Sequence, residues 1–126
     1  MMNRTAVLLL IAACLPYVCA LIAKAGGKGF NNNHPRPWLE QQQGWRARAH
    51  FAQNNLFEGL PLYFLAVLWA LLYRQIGEQT LTLWMLAWLL LRIGYIGAYL
   101  ANWGALRSVL WFLALLVTLW LGFVAT

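Results

Sequence analysis

The sequence predicts an all-α integral membrane protein, a four-helix up-and-down bundle formed by one domain over residues 1–126. Two observations on composition and length carry this. Hydrophobic residues make up 63% of the chain and charged residues only 10%, whereas a soluble domain carries roughly 25% charged residues. No soluble surface can be built from that composition. A spanning helix needs about 20 predominantly apolar residues, so 126 residues admit at most four spans with short connections. Four such stretches are present, at about 5–25, 44–73, 80–101 and 108–126.

The first stretch, Thr5 to Ala23, is free of charge, and its Pro16 predicts a kink that neighbouring helices can support in a membrane. Arg4 followed by Ile11-Ala12-Ala13-Cys14 imitates a lipoprotein cleavage box. The apolar run continues well past Cys14, so the segment is read as a helix. Cys14 and Cys19 fall on different sides of that helix, which argues against a mutual disulfide and for two packed thiols. Residues 26–43 then turn to Gly26-Gly27, Asn31-Asn32-Asn33, His34-Pro35-Arg36-Pro37 and Gln41-Gln42-Gln43, a mixture of turn formers and amides that predicts the single long loop. The second helix is polar through Asn55 and apolar afterwards. The connection at 74–79 leads to a third helix with Arg92 inside it, and 102–107 forms a turn before the charge-free fourth. Short connections favour neighbouring antiparallel helices.

The net charge of +6 reports topology. The nine Lys and Arg lie beside apolar segments instead of forming one charged face, which excludes nucleic acid as a partner. Lys24, Lys28, Arg36, Arg46 and Arg48 lie in or beside the first loop and Arg107 in the third, while the other side has Arg4 and Arg74. By the positive-inside rule the first and third loops are cytoplasmic. Both termini are then periplasmic for a protein of the bacterial inner membrane. Trp38, Trp45 and Trp103 fit one interfacial belt, and Trp84, Trp120 and Trp69 the other. His34 and His50 lack a second ligand at metal spacing, so no metal site is expected.

Two ions inside spans demand a reason. An Arg or acidic residue at the membrane centre costs about 2.5 to 3.5 kcal/mol on insertion scales, so such residues face the bundle and find partners. Glu58 and Arg92 have opposite signs, and their pairing would either lock the second and third helices in register or form part of a site. Arg48, Asn55 and Glu58 fall within roughly 80° of one another on a helix, beside Pro61, which leaves the Phe57 carbonyl without its helical donor. Arg92, Tyr95 and Tyr99 form a stripe on the third helix that Trp103 extends. If the two faces meet, the cleft offers guanidinium groups for carboxylates, an amide and phenols for peptide-like groups, and aromatic walls. The plainer alternative makes the tyrosines packing residues and Arg46 and Arg48 ordinary flank charges.

The core Ala52-Gln53-x-Asn55-x-x-Glu58-x-x-Pro61 resembles the second-helix signature of the MAPEG family, the membrane-associated proteins in eicosanoid and glutathione metabolism. Arg92-x-x-Tyr95-x-x-x-Tyr99 followed by Leu106-Arg107-Ser108 is similar to that family's third helix and turn. The resemblance spans nearly the whole chain and implies a homotrimer with glutathione, as cosubstrate, bound between neighbours near the cytoplasmic side. Carried over by position, Gln53, Asn55, Glu58, Tyr95 and Tyr99 would contact glutathione, with Arg48 and Arg92 beside them in charge and scaffold roles. Arg107 would stabilise the thiolate, since a nearby cation lowers a thiol pKa. The chain departs from the pattern at Phe51, where glutathione-using members tend to have Arg, at Gly59, where some have Tyr, and at Trp111, near which some place a catalytic Tyr. The implied activity is a membrane-bound glutathione transferase or peroxidase-like reaction on a lipophilic small molecule. A non-catalytic member that binds membrane lipid or acts as a scaffold is the alternative. A small proton-coupled exporter with Glu58 as carrier is a third reading, disfavoured because such exporters carry the carboxylate in the first helix.

Overall fold

The computed structural model describes residues 3–124. Its elements are α1 (Arg4–Lys24), α2 (Pro35–Glu40), α3 (Gly44–Trp69), α4 (Glu78–Leu100) and α5 (Gly104–Leu119), with α3 and α5 each extended by one wider, π-helical turn at Ala70–Arg74 and Trp120–Val124. Four of these helices are long and apolar enough to cross a membrane, which makes the chain a multi-pass membrane four-helix bundle. Inside hydrocarbon every backbone polar group must be satisfied within its own segment. Even so, α1 and α3 run through Pro16 and Pro61 without interruption, which a membrane bundle tolerates because its neighbouring helices and side chains can serve the freed carbonyls.

Two boundaries differ from the sequence expectation. The long loop contains α2, which begins at Pro35, where a proline costs no hydrogen bond. The fourth helix begins at Gly104, ahead of the expected start at residue 108, because Asn102 alone, at φ 62°, reverses the chain. The Arg107 amide already donates to the Trp103 carbonyl at 2.9 Å, so Arg107 sits in a helical first turn and not in a loop. The expected end of the fourth helix at Thr126 lies outside the described residues.

Packing sets α1 against α3 and α4 against α5, and α4 also touches both α1 and α3. Ala12, Cys19, Ala52 and Ala66 are fully buried, as close helix packing without a hydrophobic drive requires. A Cβ at Gly122 would stand 2.7 Å from that of Ala66, so glycine permits the approach of the last turn to α3. At mid-bundle Tyr63 stacks on Trp88 with centroids 3.8 Å apart and planes 9° from parallel. This pair fixes the register of α3 against α4.

Arginines close three helix ends. Arg46 donates to the Ala23 carbonyl at 3.0 Å, Arg48 Nε to Leu100 at 3.1 Å, and Arg74 to Trp120 at 2.8 Å and to Leu121. The Ala23 and Leu100 carbonyls lie in the last turns of α1 and α4, at the negative end of the helix dipole, while Arg74 reaches carbonyls of the wider last turn that extends α5. Trp38 behaves differently from the interfacial role expected of it. It is buried, donates from Nε1 to the Lys28 carbonyl at 3.0 Å and lies edge-on to Phe30. A Cβ at Gly27 would lie 2.4 Å from this indole. The tryptophan therefore fastens the loop to the bundle.

Candidate functional site

The Tyr63–Trp88 register brings Gly59 level with Arg92, since in an antiparallel pair one turn forward on α4 matches one turn back on α3. Arg92 reaches a further turn. Its Nη2 donates to Asn55 Oδ1 at 2.8 Å, and its side chain is only 3% exposed. The predicted Glu58 partner is not the one engaged. Glu58 is exposed on the outer side of α3, although it lines the same cavity. The remaining environment of Arg92 is aromatic, with the guanidinium carbon 4.4 Å from the Tyr95 centroid and 6.0 Å from that of Trp88, and its Nε is buried without a partner. One charge-assisted hydrogen bond contributes about 1.5 to 3 kcal/mol and cation–π contacts about 0.5 to 2. Burying an ion costs several kcal/mol. The charge is held but not neutralised.

Two cavities meet at Asn55 and Trp111. The inner one, about 210 Å³, lies between α3, α4 and α5 and is lined by Arg92, Glu58, Gly59, Trp88, Leu115 and Thr118 besides the shared pair. The outer one, about 480 Å³, opens toward the α4–α5 turn and is lined by Tyr95, Tyr99, Arg107, Ser108 and Phe112. There Tyr95 and Tyr99 meet edge to face at 5.6 Å, and the Arg107 guanidinium lies 4.4 Å over the Tyr99 ring. Asn55, Tyr95, Tyr99 and Arg107, selected from the sequence on two separate segments, thus share one cavity. Its cation, amide and phenols suit an anionic, peptide-like ligand.

Gln53 and Arg48 lie elsewhere. Two residues along a helix is a rotation of about 200°, so Gln53 faces away from Asn55 and lines a third cavity of about 410 Å³ with Lys24, Arg36 and His50. Gln53 Oε1 and His50 Nδ1 are buried there without partners. Arg48 is engaged by the end of α4. Sequence reasoning missed Trp88 and Thr118 and weighed His50 only as a metal ligand. Trp88 continues the Arg92–Tyr95–Tyr99 stripe by one turn but carries no charge to mark it, and Thr118 sits in a stretch that reads as uniformly apolar. Ser108 was in view only as the neighbour of Arg107.

A family model described as the MAPEG family matches residues 5–126. No curated protein and no solved structure matches the chain.

Proposed function

Because the chain belongs to the MAPEG family, we propose that it binds glutathione at the interfaces of a homotrimer and transfers it to, or uses it to reduce, a lipophilic electrophile delivered from membrane lipid. The observation that carries this reading is the convergence of Asn55, Tyr95, Tyr99 and Arg107 on one cavity. In it Arg107 serves as the catalytic residue. Its guanidinium, carried on the first turn of α5 beside Tyr99, stabilises the thiolate electrostatically. The phenols and the Asn55 amide orient the peptide part.

Gln53 supports the intersubunit arrangement. It faces away from Asn55 within one protomer and keeps an unpartnered buried oxygen, so a ligand touching both residues has to take them from neighbouring copies. Glu58, exposed on α3 with Phe51, Leu62 and Leu65, lies on the face that a trimer would cover. The positive-inside distribution supports an orientation with both termini in the periplasm and the site on the cytoplasmic side of a bacterial inner membrane.

Complementation tests this reading. Gln53→Ala and Arg107→Ala each remove one half of a shared site, so each alone weakens glutathione binding. Co-assembled, they regenerate intact interfaces between unlike protomers, and calorimetry should recover a fraction of wild-type sites. Absence of recovery in trimers shown to be mixed would contradict a shared site.

The lipid-binding scaffold reading is favoured by one observation. Phe51 is 50% exposed where glutathione-using relatives tend to have a cation, and an apolar ring there suits an acyl chain better than a carboxylate.

A further inference from the structure

We propose that the seam between α1 and α4, at the membrane face where both helices begin, holds one phospholipid with a zwitterionic aminoethyl headgroup, its phosphodiester on Arg4 and its ammonium on Glu78. The seam forms a groove of about 290 Å³ lined by Arg4, Val7 and Leu8 of α1 and by Thr82 and Leu86 of α4. None of these residues lines the other three cavities. The groove is therefore separate from the proposed glutathione site and would fill whether or not glutathione binds.

Charge identifies the headgroup. In an up-and-down bundle α1 and α4 run in the same direction, so the face where they begin carries Arg4, Arg74 and Glu78 as its ionic side chains among the described residues. Arg74 is committed to the Trp120 and Leu121 carbonyls. Arg4 is exposed at the head of the groove, where a guanidinium that lays its stem along apolar wall presents its donors to a phosphodiester. Glu78 lies one turn before Thr82 on the same side of α4, about 5.4 Å further toward water. A phosphate level with Arg4 and an ammonium one turn outside it match an aminoethyl phosphodiester. A primary ammonium also donates hydrogen bonds to the carboxylate, which a trimethylated one cannot, and a headgroup of net negative charge would leave Glu78 unpaired.

A stranded hydroxyl and the groove wall supply the rest. Thr82 Oγ1 is buried with no hydrogen-bond partner among the described residues, whereas Thr118 in α5 satisfies its hydroxyl on the Ala114 carbonyl at 3.0 Å. Held open in the groove that Arg4 heads, the Thr82 hydroxyl can donate to a phosphate or glycerol-ester oxygen and so be satisfied inside the span. Val7, Leu8 and Leu86 give the groove its apolar wall. A cavity of about 150 Å³ accommodates benzene, so about 290 Å³ receives the upper part of one acyl chain. One turn deeper on the same helix faces, Ile11 and Leu90 are exposed and continue the track for the remaining methylenes.

The test is native mass spectrometry of the delipidated full chain in maltoside detergent, with dioleoyl phosphatidylethanolamine, phosphatidylglycerol and phosphatidylcholine added in equal amounts. One phosphatidylethanolamine per protomer is expected to stay bound, about tenfold or more tighter than either competitor. Arg4→Gln should lower its affinity about tenfold. Leu86→Trp should displace it from the groove while leaving both charges in place. Glu78→Gln should keep lipid bound but remove the preference for phosphatidylethanolamine over phosphatidylglycerol. All three positions are exposed, so the variants should fold, which circular dichroism melting checks. Equal retention of the three lipids by the wild type, unchanged retention by a folded Arg4→Gln or Leu86→Trp protein, or a preference that survives Glu78→Gln would overturn the proposal. O-Phosphoethanolamine in millimolar excess brings the headgroup without the chains and should leave the lipid in place. Displacement by it would mark a site for soluble phosphates and overturn the lipid assignment.

Discussion

Arg92 on α4 spans a full helical turn to donate to Asn55 on α3 at 2.8 Å, passing Gly59, whose absent side chain leaves the guanidinium room. Each residue thereby solves the other's problem. The amide oxygen is satisfied inside a membrane span, and the cation gains one charge-assisted bond.

Asn55→Leu should therefore destabilise the fold by about 1.5 to 3 kcal/mol, because it strands a buried charge. Adding Arg92→Met should recover much of that loss, since replacing both partners by apolar groups is often close to neutral. Reversible unfolding in mixed micelles measures both. Additive losses in the double variant would mean that the two residues act independently.

Arg48→Met should cost about 1 kcal/mol through the lost cap at Leu100 while changing glutathione affinity by less than about twofold. Thermal unfolding and ligand titration on the same preparation separate the effects. A tenfold affinity loss at unchanged stability would return Arg48 to the ligand.

How far the sequence reaches differs between fold and site. The four spans follow from lengths of apolar chain, and the convergence of Asn55 with Tyr95 and Tyr99 follows from helical spacing on two segments. The register of α3 against α4 was not legible, because it depends on Tyr63 stacking on Trp88, two residues that look like generic core. That register decides why Arg92 meets Asn55 and not Glu58. The early start of α5 was hidden for a local reason. Gly104 and Arg107 read as turn residues, yet Asn102 takes the left-handed conformation by itself and frees them for the helix. Nor does spacing reveal that Arg46 and Arg48 cap helix ends or that Arg74 holds the last turn, since their partners are backbone carbonyls distant in sequence.

Phe51→Arg should tighten glutathione binding by roughly 10 to 100-fold, because one added charge-assisted contact contributes about 1.5 to 3 kcal/mol and 1.4 kcal/mol is a factor of ten. Phe51 is half exposed and does not support the core, so the substitution should leave folding intact. If a folded Phe51→Arg protein binds glutathione no better, the scaffold reading gains.

Topology is open to labelling on a Cys14→Ser, Cys19→Ser background. Asn32→Cys and Gly104→Cys should resist an impermeant thiol reagent in intact cells, and Ile76→Cys should react. The reverse pattern would invert the assigned orientation.

Direct calorimetric titration of glutathione into the purified wild-type protein tests the central claim. Saturable binding with affinity on the order of millimolar is expected, weakened by Arg107→Ala and by Glu58→Gln. A folded protein that gives no saturable heat, or one whose binding is untouched by Arg107→Ala, would contradict a glutathione site built on Asn55, Tyr95, Tyr99 and Arg107.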